Sequence, residues 1–135
     1  MISTKGRYAL SLMADIAENQ GDGSVPLRDV AARQELSQKY LESICTLLCR
    51  SGLIKSQRGA NGGCRLARPA GEISAAEVLH AAEGAISPVS CIETGGCSCG
   101  REKKCRTRPM WEKLDRMIEG YLSGVSIEDV INGKL

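Results

Sequence analysis

The sequence contains no phenylalanine, and one tryptophan with three tyrosines makes up its whole aromatic complement. A core must therefore be assembled from Leu, Ile, Val, Ala and Met. No apolar run approaches the eighteen or so residues of a membrane-spanning helix. Residues 1–19 interleave Lys5, Arg7, Asp15 and Glu18 with their apolar positions, which is not the pattern of a signal peptide. The expectation is a cytoplasmic protein with no membrane association. Internal repeats and low-complexity tails are missing too. His80 is the one histidine. There is no Ser/His/Asp set, no phosphate-binding glycine loop and no motif of paired carboxylates, so an enzyme is not expected.

At 135 residues the chain has the size of one domain with a small appendage, short enough that such chains often draw stability from a partner subunit. Seven cysteines in a chain with no secretion signal argue against a disulfide scaffold and toward metal, cluster or redox chemistry. An odd number cannot pair fully within one chain. The charge is unevenly placed: residues 1–70 hold ten Lys/Arg against six Asp/Glu, and residues 71–135 hold eight against ten. A basic front half suits a nucleic-acid reader joined to something else.

Ala9, Leu12, Met13, Ile16 and Ala17 recur at helical spacing and predict a helix over 3–19. Pro26 suits the first turn of a second helix that runs to about Arg33. Ser37 stands as the N-cap of a third, in which Leu41, Ile44, Cys45 and Leu48 form the inward stripe, with Gly52 as its stop. A helix-turn-helix results. Leu53 to Gln57 and Cys64 to Arg68 read as two short strands around a glycine-rich basic tip, a β-hairpin wing. Ser74 and Glu77 form a capping box for a helix over 75–83, with Ile73 and Val78 as its staple. Residues 84–106 have no periodicity. A long helix from Arg108 to Leu122 carries Met110, Trp111, Leu114, Met117, Ile118, Tyr121 and Leu122, and a short one begins after Ser126.

The fold class expected is mainly α with a small β-hairpin wing, a winged helix-turn-helix plus a long C-terminal dimerisation helix. The division is 1–83 for the winged helix, 84–107 for a cysteine-rich sensor loop, and 108–135 for the dimerisation and last helices. The stripe on the long helix is too wide for one small domain to cover, which points to a homodimer. A two-fold dimer sets two recognition helices about one or more DNA turns apart, so a double-stranded DNA operator should be roughly palindromic.

Gln38, Lys39, Glu42, Ser43 and Thr46 lie opposite the buried stripe of the third helix and are free for the major groove. By chemistry Glu42 suits a cytosine amino group and Gln38 an adenine. Arg58 at the wing tip, with Gly59 and Asn61 beside it, suits a narrow minor groove. Cys91, Cys97, Cys99 and Cys105 fall within fifteen residues, among Gly95, Gly96 and Gly100 that let them converge. Arg101, Lys103, Lys104 and Arg106 would lower their thiol pKa values. No C-x₂-C knuckle of the zinc type is present. Cys45 reads as a buried small hydrophobe, Cys64 as half buried, and Cys49 as more exposed and open to reaction, with a structural role the expectation for all three.

Three stretches carry a resemblance over nearly the whole chain: Ile2-Ser3-Thr4-Lys5-Gly6-Arg7-Tyr8-Ala9, Leu36-Ser37-x-x-Tyr40-Leu41-Glu42, and Arg58-Gly59-x-x-Gly62-Gly63. With the Ile86-Ser87-Pro88-Val89 segment they resemble the Rrf-two family of bacterial winged-helix transcription regulators. That family includes regulators of iron–sulfur cluster supply, nitric-oxide sensors and repressors of cysteine metabolism. The resemblance implies that Ser37, Tyr40, Glu42, Ser43 and Arg58 lie at the DNA interface. It also implies that Thr4, Lys5 and Arg7 lie near the phosphate backbone, and that the long helix pairs with its twin. Cluster-binding members use three cysteines with five-residue gaps. Cys91 to Cys97 fits this, and Cys97 to Cys105 is longer by two. Where some members carry a ligating His there is Arg108, and where others carry an acidic ligand there is Tyr8. Cys91, Cys97 and Cys105 are the expected ligands of an iron–sulfur cluster, 2Fe–2S or 4Fe–4S, with Cys99 as the fourth thiol. The function expected is a sequence-specific regulator, a repressor, controlled by that cluster or by thiol redox state. The alternative is a cluster-free regulator of cysteine metabolism controlled by a disulfide or a partner enzyme, and the third reading is an iron–sulfur electron carrier.

Overall fold

A computed structural model describes residues 1–59, 62–92 and 105–135. Among them are six α-helices and one two-stranded antiparallel sheet: α1 (Thr4–Asn19), α2 (Leu27–Gln34), α3 (Gln38–Arg50), β1 (Ile54–Gln57), β2 (Gly63–Leu66), α4 (Ala75–Glu83), α5 (Arg108–Ser123) and α6 (Ile127–Asn132). This is a winged helix-turn-helix followed by a long helix, and the expected elements stand within a residue or two of their limits. Pro26 is the residue before α2 rather than in its first turn, because its extended backbone (ψ 137°) is still outside the helix. The strands are Ile54–Gln57 and Gly63–Leu66, each shifted by about a residue from the sequence reading.

Helix α1 is the hub, packing on α2, α3, α4, α6 and β2. Its Leu12, Met13 and Ile16 meet Leu41, Ile44 and Leu48 of α3, Val78 of α4 and Ile127 of α6 in one core. All of these side chains are fully buried, and each contributes about 2 kcal/mol of hydrophobic stabilisation. The aliphatic core expected from the missing phenylalanine is thus what forms.

Two carboxylates fix the helices around α1. Asp15, buried within α1, accepts from Arg33 (Nη2 2.6 Å, Nε 3.1 Å) and from Gln34 Nε2 at 2.9 Å, both on α2. Glu83, the last residue of α4, accepts from the backbone N–H of Ser3 (3.0 Å) and of Gly6 (2.8 Å) and from the Ser3 hydroxyl. A carboxylate at a helix N-terminus satisfies orphan donors and opposes the helix dipole. Burial alone would raise the Glu83 carboxyl; the Ser3 and Gly6 donors outweigh it and hold the group below its usual range. Gly6 permits this approach, since a Cβ there would lie 2.8 Å from the Glu83 carboxylate and 2.9 Å from Leu79.

The turn between α2 and α3 passes through Glu35, whose φ of 55° is the one left-handed conformation among described non-glycine residues. Ser37 caps α3 by accepting from the Tyr40 N–H. The wing is anchored beneath: Val25, ahead of α2, exchanges two backbone hydrogen bonds of 2.8 Å with Cys64 of β2. Gly63 is needed there, because a Cβ would lie 2.3 Å from the Val25 carbonyl oxygen.

Candidate nucleic-acid interface and cysteine site

The face of α3 that turns away from the core carries Gln38, Lys39, Glu42, Ser43 and Thr46, all exposed. Ser43 donates to the Tyr40 carbonyl (2.7 Å) and Thr46 to that of Glu42 (2.9 Å), so both hydroxyls keep their lone pairs outward. Gln38 and Glu42 contact each other at 3.4 Å. Tyr40 is partly buried, and its ring stands edge-on to Tyr8 of α1, centroids 5.8 Å apart at 86°. This pair holds the start of α3 against α1. Ser37 is committed to capping.

Thr4, Lys5 and Arg7 are exposed on the first turns of α1. Glu83 already occupies two of the free amides at this helix end. A phosphate here must therefore be met by the Lys5 and Arg7 side chains rather than by the helix terminus. Arg58 and Gly59 are exposed after β1. Asn61, also assigned to the wing tip, lies outside the described residues, as do Cys97 and Cys99 of the cysteine loop.

The two ends of that loop are described. Cys91 sits in a single turn of 3₁₀-helix, Ser90–Ile92, and its carbonyl accepts from Arg108 Nη1 at 3.3 Å. Arg108 also donates to Glu112 at 2.9 Å. Cys105 precedes α5, its Sγ 3.3 Å from the Thr107 hydroxyl. Its thiol is held below the usual value, first by Thr107 and then by the backbone N–H groups of Thr107 and Arg108. A thiol so placed is a good soft-metal donor. Arg101, Lys103 and Lys104, expected to act on the loop thiols, lie outside the described residues. Arg108 joins Cys91 to the start of α5. Among the described residues no three His, Cys, Asp or Glu side chains gather in a metal-binding arrangement.

Three features were not legible in the sequence. The Asp15 and Glu83 anchors join residues far apart in the chain and have no local motif. His80 lies between Gly84 and α5: its Nδ1 is 3.0 Å from the Gly84 carbonyl oxygen and its Nε2 2.9 Å from the Glu119 carboxylate, and the protonated ring donates to both. Glu119, then the Gly84 carbonyl, raise its pKa. His80 thus ties the end of α4 to α5. Cys64, expected to be half buried, is fully buried, and its Sγ lies 3.0 Å from that of Cys45. The cause is the Val25 backbone pairing, which covers the outer edge of β2.

A helix-turn-helix with an exposed polar face, followed by a hairpin wing, is the architecture of a DNA-binding transcription regulator. The Rrf2 model, described as an iron-dependent transcriptional regulator, matches residues 2–133. The chain belongs to that family. It is 36% identical over 133 residues to the HTH-type transcriptional regulator IscR of Cronobacter sakazakii, covering 98% of this chain and 81% of that one. Among solved structures it is similar to CymR, the global cysteine regulator of B. subtilis, with TM-score 0.79, 33% identity and coverage of 98% and 96%. It is also similar to T. potens IscR, with TM-score 0.77, 32% identity and coverage of 100% and 88%. These relatives are regulators of transcription and not enzymes, and this chain is a transcription regulator as well. No helix among the described residues is long and apolar enough to cross a membrane.

Proposed function

We propose that the chain is a cytoplasmic homodimer that represses transcription from a roughly palindromic operator, with affinity set by an iron–sulfur cluster in the loop 91–105. The observation that carries the sensing half is the pairing of Cys91 and Cys105 with the start of α5, through Arg108 and through the α5 amides. In this reading residues 1–83 read DNA. Gln38, Lys39, Glu42 and Ser43 meet base edges, and Ser37 and Tyr40 set the helix in the groove. Arg58, Gly59 and Asn61 enter the minor groove, and Thr4, Lys5 and Arg7 meet phosphates. Residues 84–107 sense, with Cys91, Cys97 and Cys105 as ligands and Cys99 as the fourth thiol. Residues 108–135 dimerise.

A bound cluster would supply a centre that gains, loses or exchanges iron in response to its surroundings. The chain's own part is to hold thiolates at two ends of a loop that adjoins α5, so that filling or emptying the loop acts on the dimer helix and through it on recognition-helix spacing. The dimer reading is supported by α5 itself. None of its residues is buried, and Met110, Leu114, Met117 and Tyr121 are between 37% and 61% exposed along one face.

The test is iron content and visible absorbance after anaerobic purification, with single Cys→Ala variants. Loss of metal on changing position 91, 97 or 105, and retention at 45, 49 and 64, is expected. Full iron in Cys97→Ala refutes the ligand set. A metal-free protein with intact operator binding favours the second reading, control by thiol oxidation or a partner enzyme. Likeness to CymR speaks for that second reading.

A further inference from the structure

Three cysteines outside the loop converge between the recognition helix and the wing. Cys45 and Cys49 lie on α3 and Cys64 on β2. The Cys45 Sγ is 3.0 Å from Cys64 Sγ and 3.9 Å from Cys49 Sγ. Cys45 and Cys64 are buried, while Cys49 is partly exposed. We infer that Cys45 and Cys64 form a disulfide site distinct from the cysteine loop, with Cys49 as the thiol through which a hydroperoxide reaches it.

Geometry selects the pair. A disulfide needs Cβ atoms about 3.8 Å apart, and residues i and i+4 of an intact helix hold theirs about 5–6 Å apart. A Cys45–Cys49 bond therefore strains α3, although Cys49 is the residue before its last, where helices fray. Cys45 and Cys64 belong to different elements, and their sulfurs need to close by about 1 Å to reach the bonded length of about 2.05 Å. The thiols are also unequal. The Cys64 contact and burial push the Cys45 thiol well up, and burial raises the Cys49 thiol, so its reaction with a hydroperoxide is slow; the Cys45 S–H, against burial, and then the Ser56 hydroxyl hold the Cys64 thiol down.

The chemistry closes in three steps. The Cys49 sulfur attacks the hydroperoxide; the O–O bond breaks, sulfenic acid forms, and water (or the alcohol) leaves. The Cys45 thiol attacks that sulfur, releasing water and forming the strained Cys45–Cys49 bond. Cys64 then attacks Cys45 Sγ, gives up its proton, and expels Cys49 as the thiol. Two thiols are oxidised, one peroxide is reduced, and Cys49 is regenerated.

The bond would act on the DNA face, which rests on the reading of α3 as the recognition helix. Cys64 is pinned by Val25 on one side and paired with Ser56 of β1 on the other, so α3 is the element that moves. The exposed Gln38-to-Thr46 face moves with it.

The test uses the full-length protein, treated with hydrogen peroxide, quenched by alkylation and digested with trypsin. Cys45 and Cys49 fall in the peptide 40–50 and Cys64 in 59–65. The expected product is a cross-link of these two peptides with the alkyl group on Cys49. Alkylation of all three thiols, or a bond confined to 40–50, overturns the proposal. Cys49→Ser should slow cross-linking by about tenfold, and an unchanged rate refutes the entry role. Binding to a fluorescent random-sequence duplex at low salt should weaken by about tenfold on oxidation and return with dithiothreitol. That loss should vanish in both Cys64→Ala and Cys45→Ala, two variants so that misfolding of one does not decide the matter. A loss that persists in both belongs to the loop and overturns the coupling to α3. Reduced protein that does not bind the duplex refutes the recognition-helix reading instead, and the peptide map still decides the disulfide.

Discussion

Replacing Asp15 with alanine should loosen the helix-turn-helix at its root. The carboxylate is 3% exposed and accepts from two nitrogens of Arg33, from Gln34 and from Asn19. Breaking a buried ion pair costs about 3–5 kcal/mol. Arg33 is 40% exposed and returns to water when its partner is lost, which lowers the expected cost to about 2 kcal/mol. For a chain of this size that is a fall of roughly 5–8 °C in Tm. The pH dependence follows from the direction of the shift. Burial alone would raise the Asp15 carboxyl, but the Arg33 and Gln34 hydrogen bonds prevail and hold it below its ordinary 3.8. A lowered carboxyl contributes stability that is fully present above the ordinary value and is lost as pH falls through the folded one. Thermal melts followed by circular dichroism should therefore show a constant gap between wild type and Asp15→Ala from about pH 5 to 8, narrowing below about pH 4. Equal melting temperatures at neutral pH, or a gap that stays undiminished in acid, would refute the reasoning.

Arg58→Ala should reduce operator affinity by about 1–3 kcal/mol in fluorescence anisotropy while leaving Tm unchanged, because the side chain is exposed. Met117→Glu, on the most exposed apolar position of α5, should convert a dimer to a monomer by light scattering at micromolar concentration; a wild-type monomer there sinks the dimer reading. His80 carries a raised pKa through Glu119, so its contribution is fully present below the ordinary value of 6.5 and is lost as pH rises through the higher folded value. His80→Gln should therefore remove a decline in Tm that wild type shows above about pH 6.5, and identical pH profiles would count against the pair.

The helices and wing were readable because each announces itself locally. Ser37, Ser74 and Ser126 each cap a helix as their positions suggest, and periodic apolar residues fill the stripes that α1 and α3 bury. The exposed face of α3 follows by subtraction. What sequence could not supply was pairing across distance. Nothing near Glu83 marks it as the partner of Ser3, eighty residues earlier. Nothing near Cys64 says that Val25 will cover it. The donors that lower the Cys105 thiol, Thr107 and the backbone N–H groups at the start of α5, are visible only once the helix is placed.

Helix α5 reaches its full length without burying one residue in its own chain. Sixteen residues are little more than the length at which an isolated helix becomes marginal in water, so α5 depends on packing, part of it on α4 and the rest on whatever covers its apolar face. If that cover is a second copy, the concentration of the chain becomes a variable of its structure. Below the dissociation constant of the pair, the amount of competent regulator rises as the square of the number of chains. A cell that doubles synthesis would then quadruple the active species, and a repressor that acts on its own promoter would correct its abundance more sharply than a monomer does.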